Sequence, residues 1–246
     1  MVGLTRPEHY QQQLQNIQRS PKYKDVAGSW QPVPFPGYTV IAPPGSDDPV
    51  NQSFYQALQT AQRQLAEVLP DRFLIPLPQS SLHLTLADLL WADAFVAAQG
   101  LPDFDAKLHQ EIAGVFQRDE DQKQGPLRFQ ALGYMVMPRA LSICLVPDTE
   151  ATFQRLMALR RSIYQTEALL GLGIEQHYNL TLHITLGYFG EIPPDLDIQA
   201  IGDRLCQLNP AAIVPLPEFV VQRAELRRFD DMETYLRESG WPMLEF

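Results

Sequence analysis

Apolar and polar residues along this chain recur with two periods, roughly 3.6 residues and two residues, and the places where the period changes mark its elements. Tyr10, Leu14 and Ile17 lie at one-face intervals and predict a helix over Thr5–Arg19, with Thr5 and Glu8 at capping-box spacing. A proline-rich run from Trp30 to Gly37 leads into an apolar strand, Tyr38–Ala42, closed by Pro43, Pro44 and Gly45. Phe54, Leu58, Ala61, Leu65 and Val68 then mark an amphipathic helix that Pro70 stops. After Pro76 and Pro78, the segment Ser81–Leu86 (SLHLTL) alternates at period two, as a strand does.

The same order then recurs. Leu141–Val146 is a predicted strand, and Thr149 is placed to cap a helix with inner face Phe153, Leu156, Leu159 or the Arg160 stem, and Ile163. Past the turn-rich GLGIEQHYN, the segment TLHITLGYF again alternates at period two. Each half continues with a helical pattern (Phe104, Leu108, Ile112, Val115; then Ile198, Ile201, Leu205) and a strand, near Leu127–Met137 and near Ile213–Val221. Gln117–Gly125 reads as a solvated loop, and the tail as a strand followed by a short helix capped by Asp230 and Glu233.

A duplicated order without a long polar linker implies one domain spanning 1–246, with pseudo-repeat lobes at about 24–137 and 138–236 and an N-terminal helical extension over 1–23. The fold class that follows is α+β: two mainly antiparallel sheets facing each other across a central cleft, helices outside.

Composition narrows the function. Apolar residues make up 45% and charged residues 20%, as in ordinary globular chains. No apolar run is long enough for a membrane helix, and the N-terminus lacks a secretory profile. Cys144 and Cys206 form no metal-knuckle or C-x-x-C pattern, which suits a reducing cytoplasm. A net charge of −10 disfavours a protein that coats long nucleic acid, but leaves a small phosphorylated ligand or an RNA end as partner. A monomer is expected.

The chemistry concentrates in two near-identical segments: Ser81-Leu82-His83-Leu84-Thr85-Leu86 and Thr181-Leu182-His183-Ile184-Thr185-Leu186, with the histidines 100 residues apart. On a strand, alternation puts hydroxyl, imidazole and hydroxyl on one face and three aliphatic groups on the other. Ala87 and Gly187 follow on the polar face and would leave room for a ligand. A single His-x-Thr is commonly only a polar strand face; two copies with matching flanks at matching places are not expected from that cause. His9 and His109 fall on helices and read as surface residues, and Arg160 and Arg161 as solvated. A zinc site from His177, His83 and His183 lacks any supporting ligand motif, so no metal and no cofactor are expected. No phosphate-binding glycine loop, dinucleotide fingerprint or nucleophile elbow occurs.

Two H-φ-T-φ motifs about a hundred residues apart resemble the two-histidine (2H) phosphoesterase superfamily, which includes RNA 2′,3′-cyclic phosphodiesterases and RNA ligase-like proteins. FPGYTVIAPP, SSLHLTL, YNLTLHITLGYF and RFDDM are similar to one uncharacterised branch, over roughly Lys24–Leu236. That branch tends to have Asn where this chain has Tyr38, so no contact of that side chain carries over. The resemblance implies metal-independent hydrolysis of a cyclic phosphodiester, with His83 and His183 as catalytic acid and base in an unassigned order. Thr85 and Thr185 would be the phosphate contacts. Apart from the resemblance, Tyr38 and Tyr188 flank the cleft strands, where each would either stack on a base or serve core or rim packing, and Ser81 and Thr181 on the polar faces are further candidate substrate contacts. A nucleotide-binding module without turnover and an RNA-end joining activity stand as alternatives.

Overall fold

The computed structural model describes residues 6–120, 125–175, 180–209, 213 and 216–246. Helix α1 (Pro7–Leu14) and a hairpin of β1 (Tyr23–Val26) and β2 (Ser29–Pro32) precede β3 (Gly37–Ile41), α2 (Gln52–Val68) and β4 (Leu74–Pro76). Then come β5 (Thr85–Trp91), α3 (Ala92–Gln99), α4 (Phe104–Glu120), β6 (Leu127–Val136), β7 (Ala140–Pro147), α5 (Glu150–Tyr164) and α6 (Glu167–Gly171). The chain ends with β8 (His183–Phe189), α7 (Ile198–Leu208), β9 (Phe219–Val221), β10 (Arg223–Phe229), β11 (Tyr235–Leu236) and β12 (Met243–Glu245). Among the described residues no helix is long and apolar enough to cross a membrane.

Two five-stranded antiparallel sheets carry the fold, one ordered β11-β10-β3-β5 with β12 also on β10, the other β4-β8-β7-β6-β9. This is the expected α+β architecture, but the lobes are not the contiguous stretches 24–137 and 138–236. Strand β6 joins the second sheet and β10 returns to the first, because each finds its hydrogen-bonding edge there. Helices cross over as well. From α2, Gln62 donates to the carbonyls of Leu77 and Leu186, and Asn51 at its start both donates to and accepts from Val220 of β9. From α5, Tyr164 donates to the carbonyl of Asp88 in β5.

The helices form where sequence supplies an apolar stripe and a stop. In α2, Phe54, Tyr55, Leu58, Ala61 and Leu65 are buried, and Pro70 follows shortly. In α5 the Thr149 hydroxyl accepts from the Thr152 amide as anticipated. On its inner face, however, Thr152 is buried and Phe153 exposed. Helix α1 is shorter than Thr5–Arg19: Tyr10 and Leu14 are its buried anchors, and the polar residues beyond them have little to bury. Thr5 lies outside the described residues.

Three further expectations change. Gln117–Glu120 continue α4, and 121–124 lie outside the described residues. The strand anticipated near Ile213–Val221 is β9 alone, part of the interval lying outside the described residues. The tail forms no helix after Asp230. Instead Asp231 Oδ1 accepts from the amides of Glu233 and Thr234, a side-chain turn that sends the chain back as β11.

The motif strands share one irregularity. Strand β3 pairs with β5 at Val40↔Ala87 and next at Ile41↔Thr85, so Leu86 is an extra residue. Strand β7 pairs with β8 at Leu141↔Gly187 and next at Ser142↔Thr185, so Leu186 is extra. A bulge re-aims the side chains that follow it. Gly187 therefore gives no room to a ligand: a Cβ there would lie 2.5 Å from the carbonyl oxygen of Ile75 in β4. Gly187→Ala should lower stability by about 1–3 kcal/mol, through overpacking against backbone that cannot step aside. Gly171→Ala, where a Cβ would meet nothing within 4 Å, serves as the near-neutral control. Equal denaturation midpoints for the two variants would refute the tight β4–β8 approach.

Candidate active site

A cavity of about 480 Å³ opens between the two sheets, lined by His83 and Thr85 from one motif and by His183 and Thr185 from the other. The first motif is less regular than expected: Gln79–Ser81 form a short 3₁₀ turn and the strand begins at Thr85. Alternation persists regardless, because Leu82, Leu84 and Leu86 are buried while His83 and Thr85 reach the cavity. In the second motif Ile184 and Leu186 are likewise buried behind His183 and Thr185.

Both imidazoles are held alike. His83 Nδ1 lies 2.6 Å from the carbonyl oxygen of Ser81, and His183 Nδ1 lies 2.8 Å from that of Thr181. A carbonyl oxygen can only accept, so Nδ1 carries the proton and Nε2 is the basic nitrogen of each neutral ring. Ser81 and Thr181 thus act first through their backbones. The Ser81 hydroxyl is spent on the carbonyl of Pro78 at 3.0 Å. Among the described residues the hydroxyls of Thr85 and Thr185 make no hydrogen bond within the protein, which leaves them available to a ligand.

After each threonine the bulge moves the cavity-facing position by one. Asp88 and Tyr188 line the cavity, rather than Ala87 and Gly187. Asp88, missed in the sequence, is the positional counterpart of Tyr188. Tyr188 packs beside Tyr23 with ring centroids 5.8 Å apart. Tyr38 borders the cavity, but its ring packs among Phe95, Phe104, His109 and Trp241 and its hydroxyl donates to Asp105 at 3.1 Å, so it is committed to the core.

Other side chains join without a sequence signal. Lys22 enters from the supposed extension, and Phe35, Trp91, Phe229, Met232 and Tyr235 complete much of the wall. Tyr235 lies 4.4 Å from His83 between ring centroids. Arg160 is a correction: it is 3% exposed rather than solvated, lines the cavity, and donates Nη1 to the Leu86 carbonyl at 2.7 Å. Its place on the buried stripe of α5 was the available signal. Arg161 is exposed as expected. His9 is half-buried beside Gln13 on α1, and His109 is half-buried with its ring centroid 4.6 Å from that of Trp241, so neither is a plain surface residue. His177 lies outside the described residues, among which no group of three metal-ligating side chains occurs.

Electrostatics distinguish the first histidine. Burial pushes the His83 imidazole down to about 4, only partly offset by its bond to the Ser81 carbonyl and reinforced by His183, Arg227 and Lys22. His83 is therefore neutral at neutral pH.

Residues 26–94 match the family model described as 2H-phosphodiest, a domain of unknown function (DUF1868). That span contains His83 and Thr85, and the match bears out the two-histidine resemblance read from the motifs. Among solved structures, a conserved protein of unknown function from Agrobacterium tumefaciens is similar at 17% identity and a TM-score of 0.53, covering 85% of this chain and 86% of its own. A structure described as a phosphoesterase gives 15% identity and a TM-score of 0.47, covering 87% and 100%. Apo LigT of E. coli gives 15% and 0.46, covering 83% and 96%. No curated protein matches the chain.

The His83 shift has a consequence for stability. Above pH 6.5 the ring is neutral folded and unfolded, and contributes no pH dependence; between 6.5 and about 4 the unfolded chain binds a proton that the folded chain refuses. Stability therefore falls as pH drops through that window, by about 3 kcal/mol in all at 1.36 kcal/mol per unit. His83→Gln should flatten the dependence of the denaturation midpoint on pH between 7 and 4. An unchanged slope in the variant would show that His83 protonates freely in the folded state.

Proposed function

We propose that this chain is a phosphoesterase that opens a cyclic phosphodiester, 2′,3′-cyclic or related, in a nucleotide or a short RNA end. The observation that carries the reading is the shared bonding of both imidazoles, which fixes Nδ1–H on the backbone and leaves both Nε2 atoms for one cavity. The family match over 26–94 supports the same class of chemistry.

In the proposed reaction His83, held neutral, takes a proton on Nε2 from water as the water oxygen bonds to phosphorus. His183, protonated on Nε2, gives its proton to the departing ribose oxygen as the P–O bond breaks. The product is a phosphomonoester, and the two rings exchange their protons with solvent to reset the site. Thr85 and Thr185 donate to the non-bridging oxygens as charge builds there. No metal takes part in this scheme. A cavity of about 480 Å³ in a chain of net charge −10 suits one phosphate and its nucleoside better than a long RNA tract.

The test is turnover of a panel of 2′,3′-cyclic and 3′,5′-cyclic nucleotides and short cyclic-phosphate RNA ends. His83→Ala and His183→Ala should each cost roughly 10²–10⁴-fold, and Thr85→Ala or Thr185→Ala about 10–10³-fold, with the fold retained. Binding of the panel without turnover in the unaltered protein would mark a nucleotide-binding module instead. Exhaustive chelation should leave the rate unchanged; loss restored by zinc or manganese would overturn the metal-free scheme.

A further inference from the structure

The proposed reaction places an anion between a neutral imidazole, an imidazolium and two hydroxyls, and the imidazolium gives up its charge as the leaving oxygen takes its proton, so a positive charge that lasts through the reaction has to come from elsewhere. Lys22 reaches the cavity from the residue just before β1, far in sequence from either motif. Its Nζ lies 4.5 Å from the ring centroid of Phe35 and 5.1 Å from that of Tyr188. The heteroatoms beside it are Met232 Sδ at 3.0 Å and Tyr188 Oη at 3.5 Å, and neither is an anion. Among the described residues no carboxylate forms an ion pair with it; Asp88 acts on it at longer range, opposed by Arg139.

An ammonium drawn partly out of water and left unpaired is costly, and two aromatic faces offset only part of that cost. Such a charge is expected where a ligand completes it. The other cation lining the cavity, Arg160, already donates to the Leu86 carbonyl and lies over Tyr164. We infer that Lys22 is the anion-binding residue of this cavity, supplying the positive charge that meets the phosphate between His83 and His183. The assignment rests on the phosphoester reading for its catalytic role, though not for anion binding itself.

Burial pushes the Lys22 ammonium down to about 8, against the raising effect of Asp88 and with the lowering effect of Arg139. The groups facing it are Asp88 on β5, Tyr188 on β8, Arg139 before β7, and His83. Tyr188 stays a neutral phenol, burial having raised it, and His83 is neutral above its lowered value. Lys22 thus loses its charge as pH rises through about 8, and kcat/KM should fall with it.

The experiment measures 2′,3′-cyclic AMP turnover, inorganic phosphate binding and thermal midpoint for the unaltered chain and for Lys22→Met, Lys22→Gln and Lys22→Arg. The Met and Gln variants should lose about 10–10³-fold in kcat/KM and bind phosphate at least about tenfold more weakly. The midpoint of Lys22→Met should hold or rise, because a half-buried charge without a counter-ion is gone. Lys22→Arg should recover most of the activity and move the alkaline limb of the pH profile upward. If Met and Gln both leave turnover and phosphate binding within about threefold, the assignment is wrong. It is equally wrong if their midpoints drop and Lys22→Arg recovers nothing, which is the behaviour of a structural residue. Should the unaltered chain open no cyclic nucleotide while phosphate binding still depends on Lys22, the reaction reading fails and the anion site stands.

Discussion

Two matched β-bulges govern the site. At Leu86 and Leu186 one extra residue interrupts the ladder immediately after the motif threonine. Had the strands stayed regular, the residues facing the cavity after Thr85 and Thr185 would be Ala87 and Gly187, and the polar face would end there. With the bulge, Asp88 and Tyr188 turn inward instead. The carbonyl of each bulged residue accepts from a helix of the other half, and that of Leu186 also accepts from the Leu77 amide. Arg160 of α5 donates to Leu86, and Gln62 of α2 donates to Leu186, both at 2.7 Å. The crossing helices therefore brace both bulges and, with them, the turn of Asp88 and Tyr188 into the cavity.

On this near-twofold frame the chemistry is unequal. The two imidazoles make the same bond to the backbone two residues earlier, so tautomer and ring orientation are common to both. Their surroundings differ: His83 has the Tyr235 ring against it and the charges of Lys22 and Arg227 nearby, while the bond holding His183 is exposed. Arg227 has its own restraints, Glu225 at 2.6 Å and Asp47 at 2.8 Å, and it donates to the Tyr235 carbonyl. A line of contacts from a buried ion pair through Tyr235 thus ends on the first histidine, and among the described residues no equivalent reaches the second. Duplication supplies two similar groups, and unequal packing sets the first histidine in a more enclosed and more positively charged place than its counterpart.

Much of this was legible in sequence because it depends on local pattern. The order of elements, the alternation that buries Leu82 and Leu84 behind His83, and the Thr149 cap all follow from neighbours a few residues apart. What stayed hidden depends on pairing between distant segments. The bulges are invisible in the motif itself, so strict alternation puts Ala87 and Gly187 at the cavity-facing positions that Asp88 and Tyr188 occupy. The exchange of β6 and β10 between sheets follows from which edge is open, and no periodicity records that. Arg160 was misread because its spacing fits both the inner face of α5 and a solvated position. The turn at Asp231 competed with a helical cap of similar composition and won by taking two backbone amides.

The N-terminal segment shows how far such pairing reaches. Periodicity separates it from the repeats as an extension, yet its backbone is fastened to the motif lobe before it delivers Lys22. Tyr10 donates to the carbonyl of Tyr134 and accepts from Asn209, both at 2.8 Å, which docks α1 against β6 and the end of α7. The Gln18 amide then binds the Pro138 carbonyl, and the Ser20 amide binds that of Phe189, the last residue of β8. The Lys22 carbonyl accepts from Val33 across the small hairpin, and the Phe35 amide binds Asp230. Lys22, Phe35, Tyr188 and Met232 are thereby brought together from three stretches of chain, each fixed through its backbone. A flexible arm could not keep an ammonium between two rings against the pull of water. Its position is a property of the whole fold, and the segment that carries it is as much a wall of the cavity as the motif strands.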